Sequence, residues 1–350
     1  MRYKLFVIAT VLCLPATLAL ADFNASAKGS TSGDFLKLGV GARAGAMGEA
    51  YSAVADDSTA LYWNPGALTR IHEKAGSATL MHAPYVASSF FDYVAYAKNL
   101  NGTDAWGTSL QYFSAGAITQ TDANGFEQGS FTPYDMAVSV GYAHKFEWLS
   151  VGGSAKYVRS VILNTAQTGA LDFGVVSNPL LNNKLRLSGV VTNVGGKLKF
   201  EQESDRLPLA YRFGATYQVT RQWLASTDIV LPVDNSPYAA VGSEYNWPLG
   251  RDWDFSARAG LNSQSSKELN TLSTFSFGVG MGFQSITFDY ALQPLGDLGL
   301  THRLSVSFRF QPISVILPRH ESNLHPPEMP EYHDLQPYFD DSPSLRDKLE

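Results

Sequence analysis

The sequence has 350 residues and a formal net charge of −6, with 17% charged and 45% hydrophobic residues. Glycine (30), phenylalanine (20) and tyrosine (17) are abundant, which is typical of strands, turns and aromatic belts rather than of a soluble helical enzyme. The sequence has no basic stripe, so we do not expect nucleic acid as a partner. After residue 21, no apolar run reaches the ~18 residues of a membrane helix, so a membrane location would require a closed barrel.

The N-terminus has the layout of a secretory signal peptide. Arg2 and Lys4 precede an apolar run from Leu5 to Leu14, and Ala19-Leu20-Ala21 forms a small-x-small cleavage site. We therefore expect residues 1–21 to be removed on export. The single cysteine lies within this segment, so we expect a mature protein without disulfides.

The segment that follows, residues 22–74, has no strand pattern. Its centre, from Gly41 to Ala55, consists mainly of alanine and glycine, which suits backbone packed closely against other backbone. Asp56 and Asp57 precede Ser58–Trp63, and carboxylates in a first turn favour a short helix there. Asn64-Pro65-Gly66 then ends that helix. Taken alone, the segment could also be an ordinary alanine-rich helical hairpin.

From Ala75 onward, segments of about ten residues alternate apolar with small or polar side chains and are separated by turn signals. This pattern predicts an all-β protein with about fourteen antiparallel strands, an even number as in single-chain outer-membrane barrels. The predicted strands are 75–84, 89–98, 104–115, 133–146, 148–160, 166–177, 183–194, 208–219, 222–231, 236–247, 252–262, 271–283, 285–292 and 301–310.

The connections between these strands differ by parity. Links after the odd strands from the third onward are mostly long and polar, whereas links after the even strands are mostly short. Short turns on one rim and long loops on the other are typical of an outer-membrane barrel, with both chain ends on the periplasmic rim.

The two-residue period of a strand also predicts which side chains face lipid. In the twelfth strand, Phe275, Phe277 and Phe283 share one face, and Ser276 and Gly280 share the other. A soluble sandwich would carry many lysines and glutamates on its polar faces, but here those faces are small residues with about one charge per strand. The second strand is ambiguous. The charges predicted to face the lumen are Asp135, Lys156, Asp172, Arg186, Arg212, Asp228, Glu244, Asp254, Arg258, Asp289, Arg303 and Arg309.

A barrel of fourteen strands is too wide for its own side chains to fill, because eight strands are about the limit for that. Residues 22–74 are expected to enter from the periplasmic rim. We therefore expect them to form a hatch that plugs the lumen, with their small residues against an equally small-residue wall.

Two stretches, Phe35–Leu68 and Phe288–Phe310, resemble the PorV/PorQ family of outer-membrane proteins within the FadL-like superfamily. The resemblance implies a fourteen-stranded barrel with an N-terminal hatch, in which Asn64-Pro65-Gly66 corresponds to an Asn-Pro-Ala signature. The hatch motif would comprise Asp56, Asp57, Asn64, Pro65 and Gly66.

The resemblance also implies a function. Members of the PorV type are non-catalytic components of type IX protein secretion, so the expected partners are outer-membrane lipid, secreted cargo proteins and subunits of the secretion machinery. The alternative is a FadL-like channel for a hydrophobic small molecule. FadL-type channels have a kinked third strand, which the sequence does not let us place here, although Gly107 and Gly116 are candidates.

Residues 311–350 extend beyond the last predicted strand, in which Leu304–Phe310 resembles a terminal insertion signal. They hold seven prolines and eight acidic against three basic residues. This composition predicts a disordered, acidic periplasmic tail. Gly-x-Ser-x-Gly, Walker A and His-Glu-x-x-His patterns are absent from the sequence, and we expect no enzyme activity, no cofactor and no metal.

Overall fold

The computed structural model describes residues 27–200, 203–264, 274–294 and 299–310. Fourteen antiparallel strands close into a barrel in the order β1-β18-β17-β16-β15-β14-β13-β12-β9-β8-β7-β6-β3-β2, as the alternation predicts. The barrel strands are β1 (Gly76–Pro84), β2 (Phe90–Asn99), β3 (Asp104–Ser114), β6 (Tyr134–Lys145), β7 (Leu149–Val161), β8 (Thr165–Ser177), β9 (Leu185–Gly195), β12 (Ala210–Gln218), β13 (Trp223–Pro232), β14 (Tyr238–Leu249), β15 (Trp253–Asn262), β16 (Phe275–Phe283), β17 (Ile286–Pro294) and β18 (Leu300–Phe310).

Observed and predicted barrel strands agree to within two residues at nearly every end. Residues 271–273, predicted to begin the twelfth strand, lie outside the described residues, as do the predicted signal peptide and the predicted tail. No helix among the described residues is long and apolar enough to cross a membrane.

Two small hairpins stand in segments that we predict to be loops. One pairs β4 (Ile118–Thr121) with β5 (Glu127–Phe131), and the other pairs β10 (Lys197–Phe200) with β11 (Glu203–Arg206). Their strands are short and mostly exposed on both faces, so they lack the apolar alternation that identifies a barrel strand.

We define the terminal rim as the end of the barrel where β1 begins and β18 ends, and the loop rim as the opposite end. The connections at the terminal rim are all short, and the longest of them is residues 178–184. The loop rim carries residues 115–133, 196–209 and 263–274, although its links 85–89, 162–164 and 233–237 are also short.

The outward face of the barrel is apolar over most of its area, and the inward face is small or polar. In β16, Phe277 and Met281 are about half exposed, whereas Ser276 is buried. The structure also resolves the ambiguous second strand, because Phe91 and Tyr93 of β2 are fully buried inward and Val94 faces outward. These two aromatic rings belong to the cluster that packs on the N-terminal segment.

Neither candidate glycine kinks the third strand. Strand β3 pairs without a register shift with both β2 and β6 across Gly107, and Gly116 lies beyond its end. The irregularity in the wall lies between β8 and β9, where the register shifts at Leu171/Phe173. There the Asn193 backbone has a left-handed φ of 61° and its N–H donates to Asp172 Oδ1 at 2.7 Å, so a side chain replaces the missing ladder bond.

Residues 34–71, which we call the inner segment, lie inside the barrel. The inner segment contains 3₁₀ turns at Asp34–Lys37 and Pro65–Arg70 and two short helices, α1 (Ala42–Ala46) and α2 (Ala60–Trp63). Its alanines and its Trp63 and Tyr51 are almost completely buried. Because these residues are short helices and turns with few i+4 bonds, packing against the wall must hold them in place.

Candidate functional site

The inner segment is joined to the wall by a chain of buried ion pairs. Arg43 in α1 donates from Nε and Nη2 to the two carboxylate oxygens of Glu244 at 2.7 and 2.8 Å, and from Nη1 to Asp56 at 2.8 Å. Glu244 also accepts from Arg258 Nε at 2.6 Å, and Arg258 donates on to Asp289 at 2.7 Å. Each charge in this chain of ion pairs is thus balanced by a neighbour, which a buried charge requires.

A second anchor is the Asp228 carboxylate on β13. It accepts hydrogen bonds from the backbone N–H groups of Tyr51 and Ser52 at 3.2 and 3.1 Å, from Ser52 Oγ at 3.0 Å and from Arg212 at 3.1 Å. The Arg212 guanidinium also lies 5.0 Å from the centre of the Trp63 ring. A wall carboxylate therefore fixes the backbone of the inner segment, not only its side chains.

The Asn64-Pro65-Gly66 turn is a third anchor, held by backbone contacts. Asn64 Nδ2 donates to the carbonyl oxygens of Ser52 and of Val175 on β8, each at 3.0 Å, and its Oδ1 accepts from the Gly66 N–H at 3.1 Å. A Cβ atom on Gly66 would lie 2.6 Å from the Gly174 carbonyl oxygen. Gly66 and Gly174 are both needed here because turn and wall meet backbone to backbone.

The predicted role of Asp56 and Asp57 in the first turn of a helix is wrong. Helix α2 begins only at Ala60 and has no acidic residue in its first turn. Asp57 instead closes a turn ahead of the helix, accepting from the Thr59 N–H at 2.8 Å. Asp56 is the ion-pair partner of Arg43. The Asx turn satisfies Asp57 locally and delays the helix by two residues.

The two neighbouring carboxyls also differ in acidity. Burial favours the neutral form of Asp56, but Arg43, Arg70 and Arg309 outweigh it and hold the pKa of Asp56 below its ordinary value. Burial raises the pKa of Asp57, and the adjacent Asp56 carboxylate raises it further. The folded protein therefore favours the ionised form of Asp56, whereas ionisation of Asp57 is less favourable in the folded protein than in water.

A cavity of about 430 Å³ lies above the inner segment at the loop rim, and we call it the loop-rim cavity. Six of its twenty lining residues are charged. Lys37 donates to Asp234 at 2.8 Å, and Lys156 donates to Asn193 at 2.8 Å and contacts Asp172 at 3.0 Å. The wall irregularity between β8 and β9 therefore borders this cavity. The charged lining residues are Lys28, Asp34, Lys37, Lys156, Arg212 and Asp234.

The charges assigned to the lumen from the sequence fall into two groups in the structure. Those in the middle of the barrel wall all form ion pairs, and all but the partly buried Arg212 are buried: Lys156, Asp172, Arg212, Asp228, Glu244, Arg258, Asp289 and Arg303. Asp254 and Arg309 lie at the terminal rim exposed to solvent, while Asp135 and Arg186 are partly buried.

The sequence reading missed two partners in the inner segment. Arg43 binds Glu244, and Glu49 binds Arg303 Nη1 at 3.2 Å. They are the only charged residues between Ala42 and Ala55. An isolated charge in a run of alanine and glycine was the available signal, because such a run is buried and its charges need partners. Within the described residues, no group of three or more His, Cys, Asp or Glu could hold a metal ion.

The comparisons with known proteins agree with this architecture. The model of the family described as type IX secretion system protein PorV matches residues 24–224, more than half of the chain. The chain belongs to the PorV family. No curated protein matches it.

Among solved structures, this PorV-family chain is similar to a toluene transporter and to a FadL homologue. The toluene transporter TodX of P. putida has a TM-score of 0.53 at 12% identity, covering 78% of this chain and 98% of that one. A FadL homologue of Pseudomonas aeruginosa has a TM-score of 0.53 at 10% identity, covering 77% and 98%. At such identities, the likeness shows the fold alone. The PorV family match together with the closed barrel supports an outer-membrane location, and the short turns lead us to expect the terminal rim on the periplasmic side.

Proposed function

We propose that this protein is a non-catalytic component of type IX secretion that binds cargo proteins at its extracellular end. The observation that carries the proposal is the match to the PorV family over residues 24–224. In this proposal residues 1–21 direct export, and the inner segment acts as a permanent hatch that leaves the loop-rim cavity as a receptor site.

The lining of the loop-rim cavity supports a polypeptide ligand. Pockets for hydrophobic small molecules are mainly apolar with few polar groups. Here Lys37, Lys156 and Arg212 line the cavity together with Asp34 and Asp234. Such a lining suits the mixed polar and apolar surface of a folded protein domain.

The alternative is a FadL-like channel for a hydrophobic small molecule. It is supported by the fold shared with a toluene transporter. The anchors between the inner segment and the wall weigh against it, because a permeating molecule would have to displace the buried bonds of Asp228 and Glu244.

The two functions are separated by what co-purifies with the detergent-extracted protein. Cargo binding predicts secreted proteins that share a C-terminal domain, whereas a channel predicts bound lipid or other apolar molecules. Thr192→Arg places a long cation in the loop-rim cavity region, and Thr119→Arg places the same side chain on the exposed β4 hairpin. We expect Thr192→Arg to abolish cargo recovery and Thr119→Arg to preserve it. Full cargo recovery by Thr192→Arg would rule out the cavity as the receptor.

A further inference from the structure

A second cavity, of about 460 Å³, opens at the periplasmic mouth of the barrel; we call it the mouth cavity. It lies between the end of the inner segment and the first residues of β7 and β9 and the last residues of β8. Its lining includes Arg70, Lys145, Ser150, Ser177 and Arg186. Since Arg186 alternates with the buried Ser188 on the inward face of β9, this cavity is reached from the periplasm and not from the lipid.

The mouth cavity is lined by three cations, Arg70, Lys145 and Arg186, and by two carboxylates, Asp56 and Glu73. Glu73 lies 4.0 Å from Lys74. Arg70 Nη1 donates to the carbonyl oxygens of Ala53 and Ala55 at 2.7 and 2.9 Å. Asp56 also lines the cavity, but it is already ion-paired with Arg43 at 2.8 Å. Among the described residues, Arg186 has neither a hydrogen bond nor an ion pair within 4 Å. Its guanidinium therefore faces the cavity with its donors unused.

Without a ligand, the unpaired Arg186 side chain lowers the stability of the folded protein. A guanidinium that is partly removed from water without a partner loses hydration and gains nothing in exchange. Arg70 shows the same excess of positive charge, because burial, together with the nearby Arg186 and Arg43, lowers its pKa to about 10 against the opposing effect of Asp56. A bound anion would remove both penalties.

We propose that the mouth cavity binds a side-chain carboxylate of an acidic polypeptide segment presented from the periplasm, with Arg186 as the main ligand-binding residue. The planar guanidinium fork matches a carboxylate in a bidentate arrangement, and Ser150 and Ser177 add hydroxyl donors beside it. This site lies at the opposite end of the barrel from the loop-rim cavity and does not depend on the cargo that the protein receives there.

The test uses the full chain in zwitterionic detergent with fluorescein-labelled triglutamate as the probe. Binding of the probe is measured by fluorescence anisotropy. We expect Arg186→Gln to weaken binding about tenfold or more, since the loss of one partner of a desolvated charge pair costs at least that much. The matched control is Arg221→Gln, which removes an exposed arginine from a turn on the same rim. It should change the affinity less than about twofold, because rim charges contribute little.

A structural role for Arg186 predicts a different result. Because Arg186 has no partner to lose, we expect Arg186→Gln to leave the thermal midpoint unchanged or to raise it, while binding falls. A lowered midpoint, equal losses of affinity in the two variants, or no binding of triglutamate would overturn the proposal. So would inorganic phosphate that displaces the probe at concentrations where free glutamate does not, because the site would then be one for phosphate.

Discussion

The loop-rim cavity and the mouth cavity lie at opposite ends of the same inner segment and have similar volumes, about 430 and 460 Å³. At the loop rim, Lys37, Lys156 and Arg212 each bind a carboxylate within 3.1 Å. At the mouth, Arg186 binds none among the described residues. Two cavities of equal size thus differ in whether their charges are already satisfied.

This difference separates structural charges from available ones. Removing a charge that is paired inside the barrel leaves its partner uncompensated, so the effect should appear in stability. Removing a charge that has no partner should appear in binding alone. The inner segment contributes to the charge balance of both cavities, because it supplies Lys37 to one and Arg70 to the other. It also separates the two cavities.

The largest effect is expected when the inner segment between the two cavities is removed. Deleting Phe35–Arg70 should merge the two cavities into one water-filled lumen while the strands and the terminal Leu304–Phe310 segment still allow insertion. In planar bilayers, we expect the intact protein to be nearly silent and the deletion to give large, stable conductance steps. Deletion of the β4–β5 hairpin, residues 118–131, is the control and should remain silent. Equal conductance of the intact protein and the Phe35–Arg70 deletion would refute the hatch.

A smaller but still large effect is expected from Glu244→Gln. The substitution leaves Arg43 and Arg258 buried without the carboxylate that they share, at a cost of about 3–5 kcal/mol. Thermal unfolding in detergent measures the loss. Asp254→Asn, on the inward face of β15 but exposed at the rim, should change stability by less than about 0.5 kcal/mol. Similar losses in both variants would show that the buried chain of ion pairs does not hold the inner segment.

Gly174→Ala tests the backbone contact of the Asn64-Pro65-Gly66 turn. A Cβ atom there would overlap Asn64 Oδ1 and lie 3.0 Å from Pro65 Cδ, and overpacking of this kind costs about 1–3 kcal/mol. We expect a brief, flickering conductance as the turn leaves the wall. Gly169→Ala on the same strand has its nearest neighbouring atom at 3.8 Å and should behave like the unmodified protein. A silent Gly174→Ala would show that the turn tolerates displacement.

The smallest expected effect distinguishes Asp56 from Asp57 by pH. Because the pKa of Asp56 is lowered on folding, its contribution to stability is present above its ordinary pKa and is lost as the pH falls through the lower, folded value. The pKa of Asp57 is raised, so its contribution is present only below its ordinary pKa and is lost as the pH rises through the higher, folded value.

At pH 7, we therefore expect Asp56→Asn to lower the thermal midpoint and Asp57→Asn to raise it slightly, because asparagine keeps the acceptor for the Thr59 N–H. Both differences should shrink as the pH is lowered toward 3. A midpoint that is raised by Asp56→Asn and lowered by Asp57→Asn at pH 7 would contradict the assignment of Asp56 as the stabilising anion.

Much of the barrel could be predicted from the sequence because the alternation of side chains along a strand shows which environment each face contacts. Alternate side chains of β16 face lipid or the lumen, so Phe277 and Ser276 identify the two faces without any knowledge of their neighbours. The same argument assigned the eight paired charges of the wall to the lumen. It left the facing of β2 undecided, although Phe91 and Tyr93 face inward, because an aromatic residue suits lipid and a packed interior equally well.

The partners of those charges required the tertiary structure. Arg43 and Glu244 are separated by 201 positions, and no local pattern connects an arginine in an alanine run with a glutamate on β14. Asp56 and Asp57 are neighbours in the chain, yet one binds Arg43 and the other closes a turn, which only the course of the backbone decides. The sequence by itself determined a fourteen-stranded barrel and its facing, since both follow from a two-residue period. The tertiary structure alone decided which charges are satisfied and which, like Arg186, are left for a ligand.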